Sequence, residues 1–148
     1  MKIAYNEATE GMLANDGGPF GAVIVHGDKV ITTAHNEVLK TNDPTAHAEI
    51  NAIRKASEQL GRFDLSDCVL YCTCTPCPMC LGAIFWARIG TVYYGATEQD
   101  AARGGCDDLR FYEKIRGRNR AVIFKQVDHE GNAKLSDPVL EKDHRQIN

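Results

Sequence analysis

The chain has 148 residues, 43% of them hydrophobic and 25% charged, with a formal net charge of -3. That size and balance describe one soluble domain, here residues 1–148, able to bury a core without a staple. The slight acidity argues against nucleic acid as the main partner, because phosphate binding usually comes with a basic face. No apolar run is long enough to span a membrane, and the first residues carry no apolar leader. Four of the six cysteines, Cys72, Cys74, Cys77 and Cys80, crowd into one short segment. In a leaderless chain such clustering reads better as metal binding than as a disulfide frame, and the expected location is the cytoplasm.

In chain order, Ala4, Ala8 and Met12 recur at helical spacing and predict an amphipathic helix over residues 2–14. Asp16-Gly17-Gly18-Pro19 breaks it. Two apolar, β-branched runs, residues 20–25 and 30–36, flank Gly27-Asp28 and predict a hairpin. Asn42-Asp43-Pro44-Thr45 is a turn and a helix start, with Asp43 or Thr45 as the cap of a helix over residues 46–59 that Gly61 ends. Residues 68–73 form a short buried strand, and Pro76 precedes a helix from about 77 to 87. Strands follow at 91–95 and, after a loop rich in Gly and Asp, at 120–127. The tail from Asp137 is expected to be helical. Strands linked by helices in this order favour a parallel or mixed sheet covered by helices.

Two motifs carry chemistry. His47-Ala48-Glu49 falls in the first turn of a predicted helix, where a metal ligand and a proton carrier can border one pocket. Alone, the triplet is also an ordinary surface pair. Pro76-Cys77-Pro78-Met79-Cys80 puts two thiols one helical turn apart, on one face. The free N–H groups of a helix start favour thiolate, the form a metal binds. Alone, the cysteine pair also fits a redox couple or half of a structural site. Together, H-x-E followed by P-C-x-x-C is the signature of zinc deaminases. One His and two Cys would hold one Zn2+ per chain and leave the fourth position open for a bound water, as in catalytic sites. Glu49 would then be the catalytic proton carrier. The competing reading is a closed site of Cys72, Cys74, Cys77 and Cys80, since Cys72 and Cys74 share a strand face.

The stretches Asn42–Glu49 and Pro76–Ile84 resemble the cytidine deaminase-like superfamily, and within it the bacterial guanine deaminases, most strongly from about Gly17 to Asp108. Asp100-Ala101-Ala102 followed by Asp107-Asp108 resembles a feature of the latter group. The resemblance implies an α/β three-layer α-β-α sandwich with a mixed five-stranded sheet, and a homodimer. It implies hydrolysis of a free nucleobase, guanine, to xanthine and ammonia. By the same resemblance Asn36 contacts the base, Asp108 recognises the purine with Asp107 beside it, and Phe20 lines the pocket. Trp86 is assigned to core packing, with the pocket border as its other reading. The chain departs from the family pattern at Thr75 and Cys106, where Glu and Phe are usual. No aromatic residue follows Phe124 to close the site. Those departures bear on substrate choice rather than on the chemistry.

The competing functions are deamination of another aminated heterocycle or nucleoside, such as cytosine or guanosine, tRNA adenosine deamination, and a non-catalytic zinc module. In the tRNA reading the basic run Arg110, Lys114, Arg116, Arg118 and Arg120 would hold the RNA backbone. As a solvated face, the same run is an ordinary feature. His26, His35, His129 and His144 have no partner motif and are expected at the surface.

Overall fold

Gly27, at φ 56°, turns the chain back on itself and pairs β1 (Gly21–His26) with β2 (Lys29–His35) in antiparallel register. The computed structural model describes residues 1–105, 111 and 112, and the elements below belong to the unit Met1–Glu113. β1 also pairs antiparallel with β3 (Cys68–Cys74), and β3 pairs parallel with β4 (Thr91–Ala96). The result is a mixed α/β sheet of strand order β2-β1-β3-β4, four strands among the described residues. The strand expected at 120–127 and the helical tail from Asp137 lie outside them.

Strand alternation assigns each face of the sheet a helix. Ala22, Ile24, Ala34, Leu70 and Cys72 point one way, onto Ala48, Ala52 and Ala56 of α3 (Ala48–Leu60). Ile84 and Ala87, on and just beyond α4 (Pro78–Trp86), join the same core. Gly21 points the other way, onto α1 (Lys2–Leu13), and a Cβ there would lie 2.1 Å from the Ala4 carbonyl oxygen. Ala4 and Ala8 are buried as the spacing predicts, but the third buried position is Gly11 and Met12 is exposed. The reason is His35, whose ring lies where a side chain at residue 11 would go, 2.4 Å from an added Cβ.

Three local readings change. Neither Asp43 nor Thr45 caps α3; Asp43 accepts from the Thr45 N–H and hydroxyl, and His47 itself is the N-cap. Two short helices interrupt predicted loops: α2 (Val38–Thr41) and α5 (Glu98–Arg103), the latter closed by a capping box of Thr97 and Asp100. Gly61 ends α3 in the left-handed conformation, as expected. No helix among the described residues is long and apolar enough to cross a membrane.

Candidate active site

The site forms where two helices begin. His47 is the N-cap of α3 and Cys77 the N-cap of α4, yet neither side chain caps its own helix. Both turn toward each other. Ile50, Cys77 and Cys80 form a small buried cluster, packed by Met79 and Ala83, that fixes the two helix starts together. His47 Nδ1 lies 3.7 Å from Cys77 Sγ and 3.6 Å from Cys80 Sγ. Tetrahedral zinc bonded to sulfur at ~2.3 Å and to nitrogen at ~2.05 Å separates those ligand atoms by about 3.6 Å. The donor set therefore fits one zinc ion in chemistry and in spacing.

The local electrostatics favour binding of the metal. The Cys77 thiol is held below the usual thiol range, chiefly by the hydrogen bond from Cys80, then by His47, at the start of α4. Two contacts brace the loop that carries it. The Tyr112 hydroxyl donates to the Pro76 carbonyl at 2.6 Å, and the Thr75 N–H donates to the Ala96 carbonyl at 2.9 Å.

Glu49 stands beside the ligand set without belonging to it. It occupies the first turn of α3, is 7% exposed, and brings Oε2 to 3.5 Å from Cys80 Sγ. Burial raises its carboxyl above the usual carboxylate range, outweighing the backbone hydrogen bond that pulls it down. A buried carboxyl poised upward beside a metal site can both take and return a proton.

The closed four-cysteine site does not form. Cys72 Sγ and Cys74 Sγ turn to the carbonyls of Tyr93 and Thr97 at 3.7 and 3.5 Å, and neither joins a metal-ligating group among the described residues. The other substrate-site expectations fall in different places. Asn36 is buried directly after β2, with Oδ1 accepting from the Val38 N–H at 3.1 Å. Phe20 packs against the core and walls a cavity of about 200 Å³ with Thr73, Cys74, Ala96 and Asp100. None of His47, Glu49, Cys77 and Cys80 lines that cavity. Trp86 is 63% exposed, so the expected core role is not met. Asp107, Asp108, His129, His144 and the basic run from Arg110 to Arg120 lie outside the described residues.

Two residues were missed in the sequence. His35, expected at the surface, is half-buried between Glu7 and Asp16. Asn51 is buried and its amide reaches the carbonyls of His35 and Ala46 and the Glu37 carboxylate, tying the Asn36 segment to the start of α3. The available signal was a polar residue four positions after His47, on the apolar face of the same helix.

An α/β sheet that holds a His-Cys-Cys donor set beside a buried carboxylate defines a zinc-dependent aminohydrolase. Residues 1–96 match the family model of the cytidine and deoxycytidylate deaminase zinc-binding region, and the chain belongs to that family. A guanine deaminase of Bacillus subtilis (strain 168) is 51% identical over 129 residues, 86% of this chain and 83% of that relative. A crystal structure of guanine deaminase from Bacillus subtilis superposes with a TM-score of 0.89 at 44% identity, covering 99% of this chain and 94% of the other. A tRNA-specific adenosine deaminase of Buchnera aphidicola subsp. Schizaphis graminum is 42% identical over 140 residues, 91% of this chain and 87% of that relative.

Proposed function

We propose that this chain hydrolyses guanine to xanthine and ammonia. The observation that carries the chemistry is the His47–Cys77–Cys80 cluster at zinc-ligand spacing with Glu49 next to it. The choice of guanine is supported by the 51% identity to a guanine deaminase, above the 42% to a tRNA-specific enzyme. A slightly acidic chain also suits a small uncharged base better than a polyanion.

His47, Cys77 and Cys80 hold the zinc, which when bound lowers the pKa of water and supplies a nucleophile near neutral pH. Glu49 takes a proton from the attacking water as oxygen bonds to C2 of guanine, and passes it to ring N3. A second proton goes through Glu49 to the exocyclic amine, the C2–N bond breaks, and ammonia leaves with xanthine behind it. Asn36 offers its amide N–H groups to an acceptor on the base while its Oδ1 accepts from the Val38 N–H. Asp108, with Asp107 beside it, accepts from the donor edge of guanine, which adenine lacks. Phe20 and Trp86 supply apolar walls. In this reading the chain acts as a cytoplasmic homodimer.

The deciding experiment measures ammonia release from guanine, adenine, cytosine, their nucleosides and tRNA by zinc-loaded protein. Guanine should be turned over best. Turnover of tRNA adenosine with no activity on guanine sinks the substrate assignment and leaves the deaminase class intact.

A further inference from the structure

One cluster of ionisable side chains lies outside the zinc site and is used by none of the chemistry above. His35, at the end of β2, sits with Nδ1 at 2.9 Å from Glu7 Oε1 of α1 and Nε2 at 2.8 Å from Asp16 Oδ2. Lys40 of α2 reaches Asp16 Oδ2 at 3.0 Å and Glu37 Oε1 at 2.9 Å. Glu37 also accepts from Asn51 of α3. Among the described residues, Gly11 of α1 also lies against the ring, and Gly21 of β1 pairs with His35 across the sheet. Asp16, His35 and Glu37 are close enough to share a cation. However, both ring nitrogens already face carboxylates and the Lys40 ammonium joins Asp16 to Glu37. Every carboxylate of the cluster thus has a cationic or N–H partner among the described residues, with three carboxylates (Glu7, Asp16, Glu37) against the two cations His35 and Lys40.

This network converges on Asn36. An added Cβ at Gly17 would lie 2.1 Å from Asn36 Oδ1 and 2.6 Å from the Asn36 carbonyl oxygen, so the backbone next to Asp16 forms one wall of the Asn36 side chain. The other wall is the start of α2, whose Val38 N–H donates to Asn36 Oδ1. α2 itself hangs on Asp16, whose carbonyl accepts the N–H groups of Leu39 and Lys40, both at 3.0 Å. Asp16 thus sets both sides of Asn36, and His35 holds Asp16.

We propose that His35, as an imidazolium clamped between Glu7 and Asp16, is a positioning residue for Asn36, and that loss of its proton weakens base binding while sparing turnover. The proposal rests on the reading of Asn36 as a base contact. Only the imidazolium has two N–H donors; the neutral ring has one, so one of the two carboxylates must then face a lone pair. Burial pulls the His35 pKa down, but the hydrogen bonds to Glu7 and Asp16 and the charges of Glu7 and Glu37 outweigh it, and the net direction is upward from 6.5. The clamp is closed at low pH and opens as pH rises through the folded value.

The test follows KM and kcat for guanine from about pH 5 to about pH 8, where histidine ordinarily titrates, and on to more alkaline pH because the His35 value is raised. Zinc-loaded wild type and His35→Gln are compared, and NMR follows the His35 ring and the Asn36 side-chain amide. Glutamine can hold one carboxylate but cannot titrate. The ratio of wild-type KM to variant KM should rise about fivefold across the His35 titration, the low end of coupling between two sites. The ratio of kcat values should stay flat, since the zinc site titrates alike in both proteins. In wild type the Asn36 amide resonances should shift with the His35 midpoint, a readout that needs no variant to fold. A flat KM ratio, or Asn36 resonances that ignore His35, overturns the proposal. An Asn36→Ala variant with unchanged KM overturns the base-contact reading beneath it. A raised KM in Asn36→Ala with no His35 coupling removes the positioning role alone.

Discussion

Glu49→Gln isolates the proton carrier from the metal. Glu49 is 7% exposed and sits on the first turn of α3, so the replacement must match its shape to keep the helix start in place. Glutamine does so, and burial already favours the neutral carboxyl, so the neutral amide adds little desolvation cost. His47, Cys77 and Cys80 are untouched, and zinc should remain near one per chain. What is lost is proton transfer in two steps, from water to the ring and then to the amine. General acid–base catalysis is worth ~10²–10⁴-fold, or about 2.7–5.4 kcal/mol of barrier, and two dependent steps place the loss toward the upper end. The assay is xanthine formation under saturating guanine, beside metal analysis and the far-ultraviolet spectrum of the same sample. KM should change less than kcat, because the lost interaction belongs to the transition state. A Glu49→Gln protein that keeps its zinc and a tenth or more of wild-type turnover, roughly 1.4 kcal/mol of barrier or less, refutes the role.

Three further outcomes follow from the geometry. His47→Ala should lose zinc while Cys72→Ser and Cys74→Ser retain it, as metal analysis will show; loss with either serine variant would restore the closed four-cysteine site. Gly17→Ala should push Asn36 from its place, since the new Cβ meets both its Oδ1 and its backbone oxygen. We expect a raised KM for guanine with zinc retained, and an unfolding free energy lower by about 1–3 kcal/mol, the usual cost of overpacking; an unchanged KM contradicts the packing. His35 also makes stability depend on pH. Its folded pKa lies above its ordinary 6.5, so its contribution is complete below about 6.5 and is lost as pH rises through the folded value. The gap in thermal midpoint between wild type and His35→Gln should narrow over that window, and a gap that widens has the wrong sign.

How much of this was legible in the chain depends on how local each determinant is. The zinc ligands and Glu49 were legible because each pair sits within a single helical turn and its chemistry is carried by residue type: His and Glu two apart, Cys and Cys three apart. The hairpin and the end of α3 were legible for the same reason, since Gly27 and Gly61 take positive φ that few other residues adopt. The cap of α3 was misread because His47, a poor cap by propensity, occupies the N-cap position and leaves that helix end open toward the metal. The register of Gly11 could not be read from α1 at all. Its burial is imposed by a ring from β2, more than twenty residues away. His35 was missed on the same ground. Nothing within its own strand distinguishes it from His26, which stands exposed at the other end of the hairpin against Asp67. The difference is made by Glu7 and Asp16, which α1 and the turn after it deliver to both sides of the ring. A histidine with one carboxylate at the surface is an ordinary ion pair, whereas a histidine with one on each ring nitrogen has its protonation state tied to the position of two chain segments. In the proposed clamp Asn36, a single amide following a strand, therefore depends on Glu7 in the middle of α1 and on Asp16 in the turn after it.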